Sequence, residues 1–229
     1  MQNPLGQPIG DTVNWEGATP PPRVILIGQY CSVVPLTAAH APELFAATQL
    51  DAEGRNWTYL FEEPIVDLAA FTAWAEKAGQ SVDPLYHAII SAKTGKAVGY
   101  ATFMRITPMA GTIEVGNIHM SPILQGTRAA TEMQYLMMKQ AFALGYRRYE
   151  WKCDCLNAPS RRAAERLGFT FEGIFRQALV YKGRNRDTAW FSVTDQEWPL
   201  LEKAFVQWLD KRNFNESGKQ VAKLQSFRP

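Results

Sequence analysis

The stretch from Thr112 to Leu144 constrains this chain more than any other. Apolar and β-branched residues from Thr112 to Met120 read as a strand. Pro122 closes it, because the residue before a proline is held extended. After the turn, Thr127 to Leu144 carries Ala130, Met133, Met137, Ala141 and Leu144 on one helical face, and Gly145 stops it. A strand that turns directly into a long helix sets the helix N-terminus, with its unpaired N–H groups and positive dipole end, beside the strand end. Such a terminus is a seat for a pyrophosphate. Gly126, Ala129 and Ala130 are small enough to let an anion approach the backbone, and Arg128, Thr127 and Thr131 add donors. The structural alternative is a junction kept small for tight packing, and spacing alone favours that alternative. The Gly-Lys-Ser/Thr ending of a Walker loop is absent, and no Gly-x-Gly-x-x-Gly follows a first strand.

The remaining segments set the fold class. Residues 1–28 read as an extended arm, since Pro20-Pro21-Pro22 favours extended chain and stops any helix. Gln29 to Leu36 reads as a strand, Ala38 to Leu50 as a helix capped by Thr37, and Asp67 to Lys77 as a second helix. Between those helices, Asp51 to Pro64 is a loop containing Trp57, Tyr59 and Phe61. Leu85 to Ala92 and Ala97 to Ile106 read as a hairpin over Lys93-Thr94-Gly95-Lys96. Arg147 to Cys155 follows as a strand, Ala158 to Leu167 as a helix ended by Gly168, then Phe169 to Gln177 and Thr188 to Thr194 as strands. A last helix capped by Asp195 runs to about Leu209, and residues 210–229 read as a loose polar tail. Strand runs broken by single crossovers imply an α+β class, a mixed sheet in a three-layer α/β/α-like arrangement, with residues 29–209 as one domain.

Composition narrows the function. A chain of 229 residues, 46% hydrophobic, can bury one good-sized core. A net charge of +2 lacks the concentrated basic surface of a nucleic-acid binder. No stretch is apolar enough for a membrane span, and the polar start does not resemble a secretory signal. Cys31, Cys153 and Cys155 do not suggest a disulfide framework, which points to a reducing cytoplasm. His40, His87 and His119 lie far apart with no metal-ligand spacing. Neither a metal, a nucleic acid nor a membrane is expected as a partner.

A second segment is more specific. Asn157-Ala158-Pro159-Ser160-Arg161-Arg162-Ala163-Ala164-Glu165-Arg166-Leu167-Gly168-Phe169, followed by Phe171-Glu172-Gly173, is similar to the Asn-x-x-Ser-x-Arg-x-x-Glu-Lys-x-Gly-Phe-x-x-Glu-Gly signature of the GNAT superfamily of N-acetyltransferases. Downstream, Arg186-Asp187, Trp190-Phe191-Ser192 and Glu197-Trp198 resemble its branch of ribosomal-protein N-terminal acetyltransferases, RimJ and RimL. The resemblance covers roughly Gln29 to Leu209. It departs at one place. The superfamily pattern is Gln/Arg-x-x-Gly-x-Gly/Ala, and the run Gln125 to Ala130 has Arg128 where the first glycine belongs.

The resemblance implies the acyl-CoA N-acyltransferase fold and transfer of an acetyl group from acetyl-CoA to a primary amine, on a protein N-terminus or a small molecule, by direct attack. It implies that the cofactor is held by Gln125, Gly126, Thr127, Arg128, Ala129, Ala130 and Thr131, by the backbone of Ile118, His119 and Met120, and by Asn157, Ser160 and Arg161. On the residues alone, Asn157 is a helix cap and Ser160 lies one turn on, along the same face. Arg161 and Arg162 either meet phosphate or stay solvated. A base must take a proton from the incoming ammonium, and Glu114, His119 and Asp154 are the candidates. Ser160 or a water serves the leaving thiolate, because Ala164 stands where some relatives carry a tyrosine. Trp57 and Tyr59, near Gly54, are candidates for the acceptor side, whereas Phe71 and Trp74 read as core. Cys153 and Cys155 share a strand face, but no histidine lies close by in sequence, so a covalent route is set aside. Arg128 and Ala164 support one alternative, a non-catalytic acyl-CoA-binding or sensory protein of the same fold. The length of the arm leaves room for a homodimer.

Overall fold

All strand pairings but one are antiparallel, and the parallel one positions the site. The computed structural model describes residues 1–228. Its single sheet has eight strands in the order β1-β2-β3-β4-β5-β6-β8-β7. They are β1 (Leu26–Ile27), β2 (Cys31–Pro35), β3 (Leu85–Ser91), β4 (Ala97–Thr107), β5 (Thr112–Met120), β6 (Arg148–Asp154), β7 (Thr170–Tyr181) and β8 (Arg184–Thr194). The helices are α1 (Ala41–Thr48), α2 (Leu68–Gln80), α3 (Arg128–Ala143), α4 (Ala158–Leu167) and α5 (Trp198–Leu209). β5 and β6 run parallel because α3 crosses over between them.

The two layers of helix follow from strand alternation. Ile113 and Val115 of β5, Tyr149 and Trp151 of β6, and Phe191 and Val193 of β8 face α3, α4 and α5, where Met133, Met137, Ala141 and Phe205 complete the main core. α1 and α2 cover the opposite face of β2 to β4, packing Leu44, Phe71 and Ala75 against Leu36, Ala88 and Tyr100. Beyond β5 that second face carries polar groups instead. Arg148 bonds Glu150 and Glu172, and Ser192 also donates to Glu172.

Pairing between β5 and β6 runs from Thr112↔Arg148 to Val115↔Trp151 and then stops, although both strands continue. The cause lies in β5. Asn117 adopts φ 46°, and the register against β4 shifts between Tyr100 and Thr102. An extra residue in one strand bends it and tightens its twist, which carries Gly116–Met120 away from Lys152–Asp154. Gly99 lets β4 follow this path: a Cβ there would lie 2.7 Å from the His119 carbonyl oxygen and 2.8 Å from a Leu124 methyl.

Both ends of the chain differ from a simple arm and tail. The arm docks on its own subunit, with Trp15 Nε1 donating to the Gly145 carbonyl at 3.0 Å and the Thr19 N–H donating to Leu144 at 2.8 Å. Its last residues form β1. The C-terminal segment is not loose. Asn213 staples it, donating through Nδ2 to Trp208 and Ala222 carbonyls and accepting the Ala222 N–H at 2.9 Å. Leu224 is then fully buried. β7 and β8 are also longer than the sequence suggests. They meet in a Lys182-Gly183 turn with φ of 49° and 69°, the geometry that matches strand twist in a two-residue hairpin. Among the described residues, no helix is long and apolar enough to cross a membrane.

Candidate active site

Where β5 and β6 part, a cavity of about 910 Å³ opens between the N-terminus of α3 and the second half of α4. Its walls include Met120, Gly126, Thr127, Arg128, Trp151 and Ala163. Thr127 caps α3, its Oγ accepting the Ala130 N–H at 3.2 Å and donating to the Leu124 carbonyl at 2.6 Å. The N–H groups of Arg128 and Ala129 open the first turn and have no carbonyl one turn back to bond. A helix start built this way attracts an anion. Gly126, with φ 69°, makes the turn that leads into it.

Arg128, in place of the glycine, keeps ordinary helical backbone. Its guanidinium is stacked between two rings, 4.7 Å from Tyr30 and 4.5 Å from Phe214. The side chain is thereby drawn to the rim, and the helix terminus stays open. Gln125 is a brace: its Nε2 donates to Asn56 Oδ1 at 2.6 Å and to the Met120 carbonyl at 2.9 Å. Thr131 Oγ accepts from Arg166 at 3.1 Å. Ile118 and Met120 pack toward the main core, on the cavity side.

On the α4 side, Asn157 Oδ1 accepts the Ser160 N–H at 3.1 Å, so the cap is present. Its Nδ2 has no partner among the described residues. Ser160 Oγ accepts the Trp151 indole N–H at 3.0 Å and keeps its own proton to donate. Arg161 turns away, resting 5.5 Å over the Phe171 ring. Ala164 is fully buried. Burial also pushes the Cys153 and Cys155 thiols up, which leaves them protonated and poor nucleophiles at neutral pH.

The three candidate bases occupy different environments. His119 is 1% exposed, stacked on Tyr100 at 5.2 Å and flanked by Trp57 at 4.6 Å. Among the described residues neither ring nitrogen has a partner, and burial lowers its pKa to about 4. Asp154 ends β6, accepting the Leu156 N–H and the Tyr181 hydroxyl, each at 2.9 Å. Burial and the neighbouring Asp154 push Tyr181 up to about 12. Glu114 lies one residue before the last β5–β6 rung, on the face opposite α3, ion-paired with Lys152 Nζ at 2.8 Å and Arg105 at 3.3 Å. Burial raises its pKa against the pull of both cations.

The aromatic loop closes the open end of the cleft. Asn56 donates to the Met120 carbonyl, Tyr59 to Leu156, and Lys182 at the hairpin tip to the Trp57 carbonyl at 2.9 Å. Trp57 is buried against His119, while Phe61, 52% exposed, meets Tyr181 at 5.6 Å. Two cavity residues outside the motif, Gln134 and Lys219, join the site, together with Arg166 at the signature's lysine position. Gln134 had a signal, a polar residue on the apolar stripe of α3. Lys219 had none.

A mixed sheet that splits beside an open, small-residue helix start defines a class of protein that binds a nucleotide-linked thioester between two strands. The acetyltransferase (GNAT) domain matches residues 32–170, and the chain belongs to that family. It resembles a GCN5-related N-acetyltransferase from Brucella melitensis, with 50% identity, a TM-score of 0.92, and 94% of this chain and 98% of that one covered. It also resembles a GNAT-family protein from Chromobacterium violaceum, with 37% identity, a TM-score of 0.77, and 86% and 100% covered. RimJ from Mycobacterium smegmatis, solved with CoA-disulfide, shares the fold at 18% identity and a TM-score of 0.64, with 74% and 84% covered. A search of curated protein sequences finds no match. The protein is an acetyl-CoA-dependent acetyltransferase of the GNAT family.

Proposed function

We propose that this enzyme transfers the acetyl group directly to a primary amine, that of a peptide N-terminus, presented from the face of the sheet that bears Glu114. The observation that carries this reading is the end of β5–β6 pairing at Val115↔Trp151. It leaves one edge of Gly116–Met120 without a strand partner. The N–H groups of Ile118, His119 or Met120 on that edge can meet the thioester oxygen as charge develops on it. The α3 terminus takes the pyrophosphate, and Asn157 Nδ2 bonds the pantetheine arm.

A thioester is already activated, so positioning supplies most of the rate. Glu114, directly or through a water, takes a proton from the ammonium; the amine nitrogen then bonds the acetyl carbon, gives up a second proton to solvent, and the carbon–sulfur bond breaks to leave the neutral amide. Ser160 gives its proton to the departing thiolate and regains one from solvent. His119 serves as packing, since a neutral imidazole with so low a pKa is a poor base for an ammonium. Glu62, whose charge bears on Tyr86 and Tyr100, sets an acidic tone at the acceptor mouth, and Phe61 offers it an apolar surface. Residues 29–209 form the transferase body in this reading, with 1–28 as an intramolecular brace.

Calorimetric titration of acetyl-CoA, followed by thiol release with a panel of peptides and small amines, tests the proposal. Micromolar binding that an Asn157→Ala/Ser160→Ala variant loses, with turnover on peptide amines, is expected. Turnover confined to small amines overturns the acceptor. No binding of acetyl-CoA overturns the assigned cavity.

A further inference from the structure

The cavity beside α3 holds more positive charge than a pyrophosphate seat requires. Arg166 enters it from α4 and Lys219 from the C-terminal segment, and Arg128 stands at its rim. None of the three has a carboxylate within ion-pair distance among the described residues. Arg166 is partly buried, held by Thr131 at 3.1 Å and resting 5.0 Å over the Trp208 ring, and that burial presses its pKa down. A desolvated cation with no counter-charge is costly, and it is kept where an anion completes it.

A second observation is independent of these charges. Gln134, two turns along α3, is 0% exposed, lines the same cavity, and among the described residues has no partner for either its Oε1 or its Nε2. A buried amide with its bonds unmade calls for polar ligand atoms, and its Nε2 is a donor for an anion's oxygen.

The C-terminal segment is built to hold Lys219 there. Phe214 and Gln220 bridge as a small hairpin, the Asn215 side chain accepts the Lys219 N–H at 2.9 Å, and Gly218 turns at φ 76°. Trp208 Nε1 donates to Gln220 Oε1 at 2.9 Å, locking the hairpin to α5. Phe214, on the same hairpin, is one of the two rings that hold Arg128.

We propose that Arg166 and Lys219, with Arg128 at the rim, form a seat for the 3′-phosphate of coenzyme A, and that the C-terminal segment is therefore part of the cofactor site. The inference rests on the assignment of this cavity to acetyl-CoA. The pyrophosphate takes the α3 backbone, and the phosphomonoester takes the side-chain cations.

The test compares CoA with dephospho-CoA, which lacks only that phosphate, by calorimetry on the full chain. A charge-assisted contact of this kind is worth about tenfold in affinity. The wild type is expected to bind CoA at least about tenfold more tightly than dephospho-CoA. Lys219→Gln, at an exposed loop position, is expected to weaken CoA by about tenfold and to leave dephospho-CoA unchanged. Arg166→Gln is expected to act in the same direction, with a melting curve to verify its fold. In turnover, Lys219→Gln raises KM for acetyl-CoA while kcat at saturation holds. Equal wild-type affinity for the two ligands, or equal loss of both in Lys219→Gln, overturns the seat while leaving the cavity assignment standing. Failure of the wild type to bind either ligand overturns the cavity assignment itself.

Discussion

The Trp151 indole donates to Ser160 Oγ at 3.0 Å, tying the first turn of α4 to the β6 residue at the last rung shared with β5. The Asn157 cap sits in the same turn, so its stabilising and binding roles need separating. Asn157→Asp keeps an oxygen for the Ser160 N–H and loses the donor. Its melting temperature is expected to stay within about 1 °C of wild type, while KM for acetyl-CoA rises by about tenfold. Asn157→Ala loses the cap as well, at about 1 kcal/mol, and its melting temperature falls by about 3 °C. Thermal melts set beside acetyl-CoA titrations check this, and equal KM in Asn157→Asp and wild type would remove the pantetheine role.

Glu114 has a distinct signature. Glu114→Gln is expected to lower kcat by about 100-fold or more and to leave acetyl-CoA affinity unchanged. Lys152→Met removes the nearer cation, so the carboxyl pKa rises further and the acid limb of kcat against pH moves to higher pH. That variant leaves the buried Glu114 carboxylate with Arg105 as its remaining cation and is expected to lower the melting temperature. A kcat–pH profile whose acid limb does not move in Lys152→Met counts against Glu114 as the base.

Much of this site was legible because short-range signals carry it. Thr112 to Met120 and Ala158 to Leu167 fall where apolar pattern, Pro122, Asn157 and Gly168 place them. The split between β5 and β6 was not readable from pattern, since it depends on the left-handed backbone of Asn117 and a register shift against β4. The C-terminal segment reads as loose because its polar composition hides its anchors: the Asn213 staple between Trp208 and Ala222, and Phe214 and Leu224, which pack against the body. Arg184 to Asp187 read as loop because charged residues on the exposed part of a hairpin have no apolar alternation, although Lys182-Gly183 was a turn signal. Gln134 lies within the apolar stripe of α3, where one polar residue among buried neighbours is the informative one.

The acceptor loop separates the two substrates. Phe61 is exposed at the mouth, so Phe61→Ala is expected to raise KM for a peptide acceptor several-fold without changing acetyl-CoA binding or the melting temperature. Trp57 is buried against His119, so Trp57→Ala is expected to cost about 3–5 kcal/mol and to disturb both substrates. Initial rates with each substrate varied in turn distinguish them, and an unchanged acceptor KM in Phe61→Ala would place the acceptor elsewhere.

His119 and His87 set the acid limit of stability. Both are buried, and burial lowers each from 6.5 to about 4. His87 also feels Arg23, and its Nδ1 has no partner. As pH falls below 6.5 the unfolded chain takes up two protons that the folded chain refuses, so folding weakens with falling pH. The loss continues until about pH 4, where the folded rings also protonate and these two groups add no further slope. Each contributes on the order of 3 kcal/mol across that window. Above pH 6.5 both are neutral in either state, and their contribution is constant. Denaturant unfolding at pH 7.5, 6 and 5 is expected to show this decline, and His87→Gln to remove about half of it. A His87→Gln variant with the same pH slope as wild type would mean that the ring already protonates in the folded chain near its ordinary pKa.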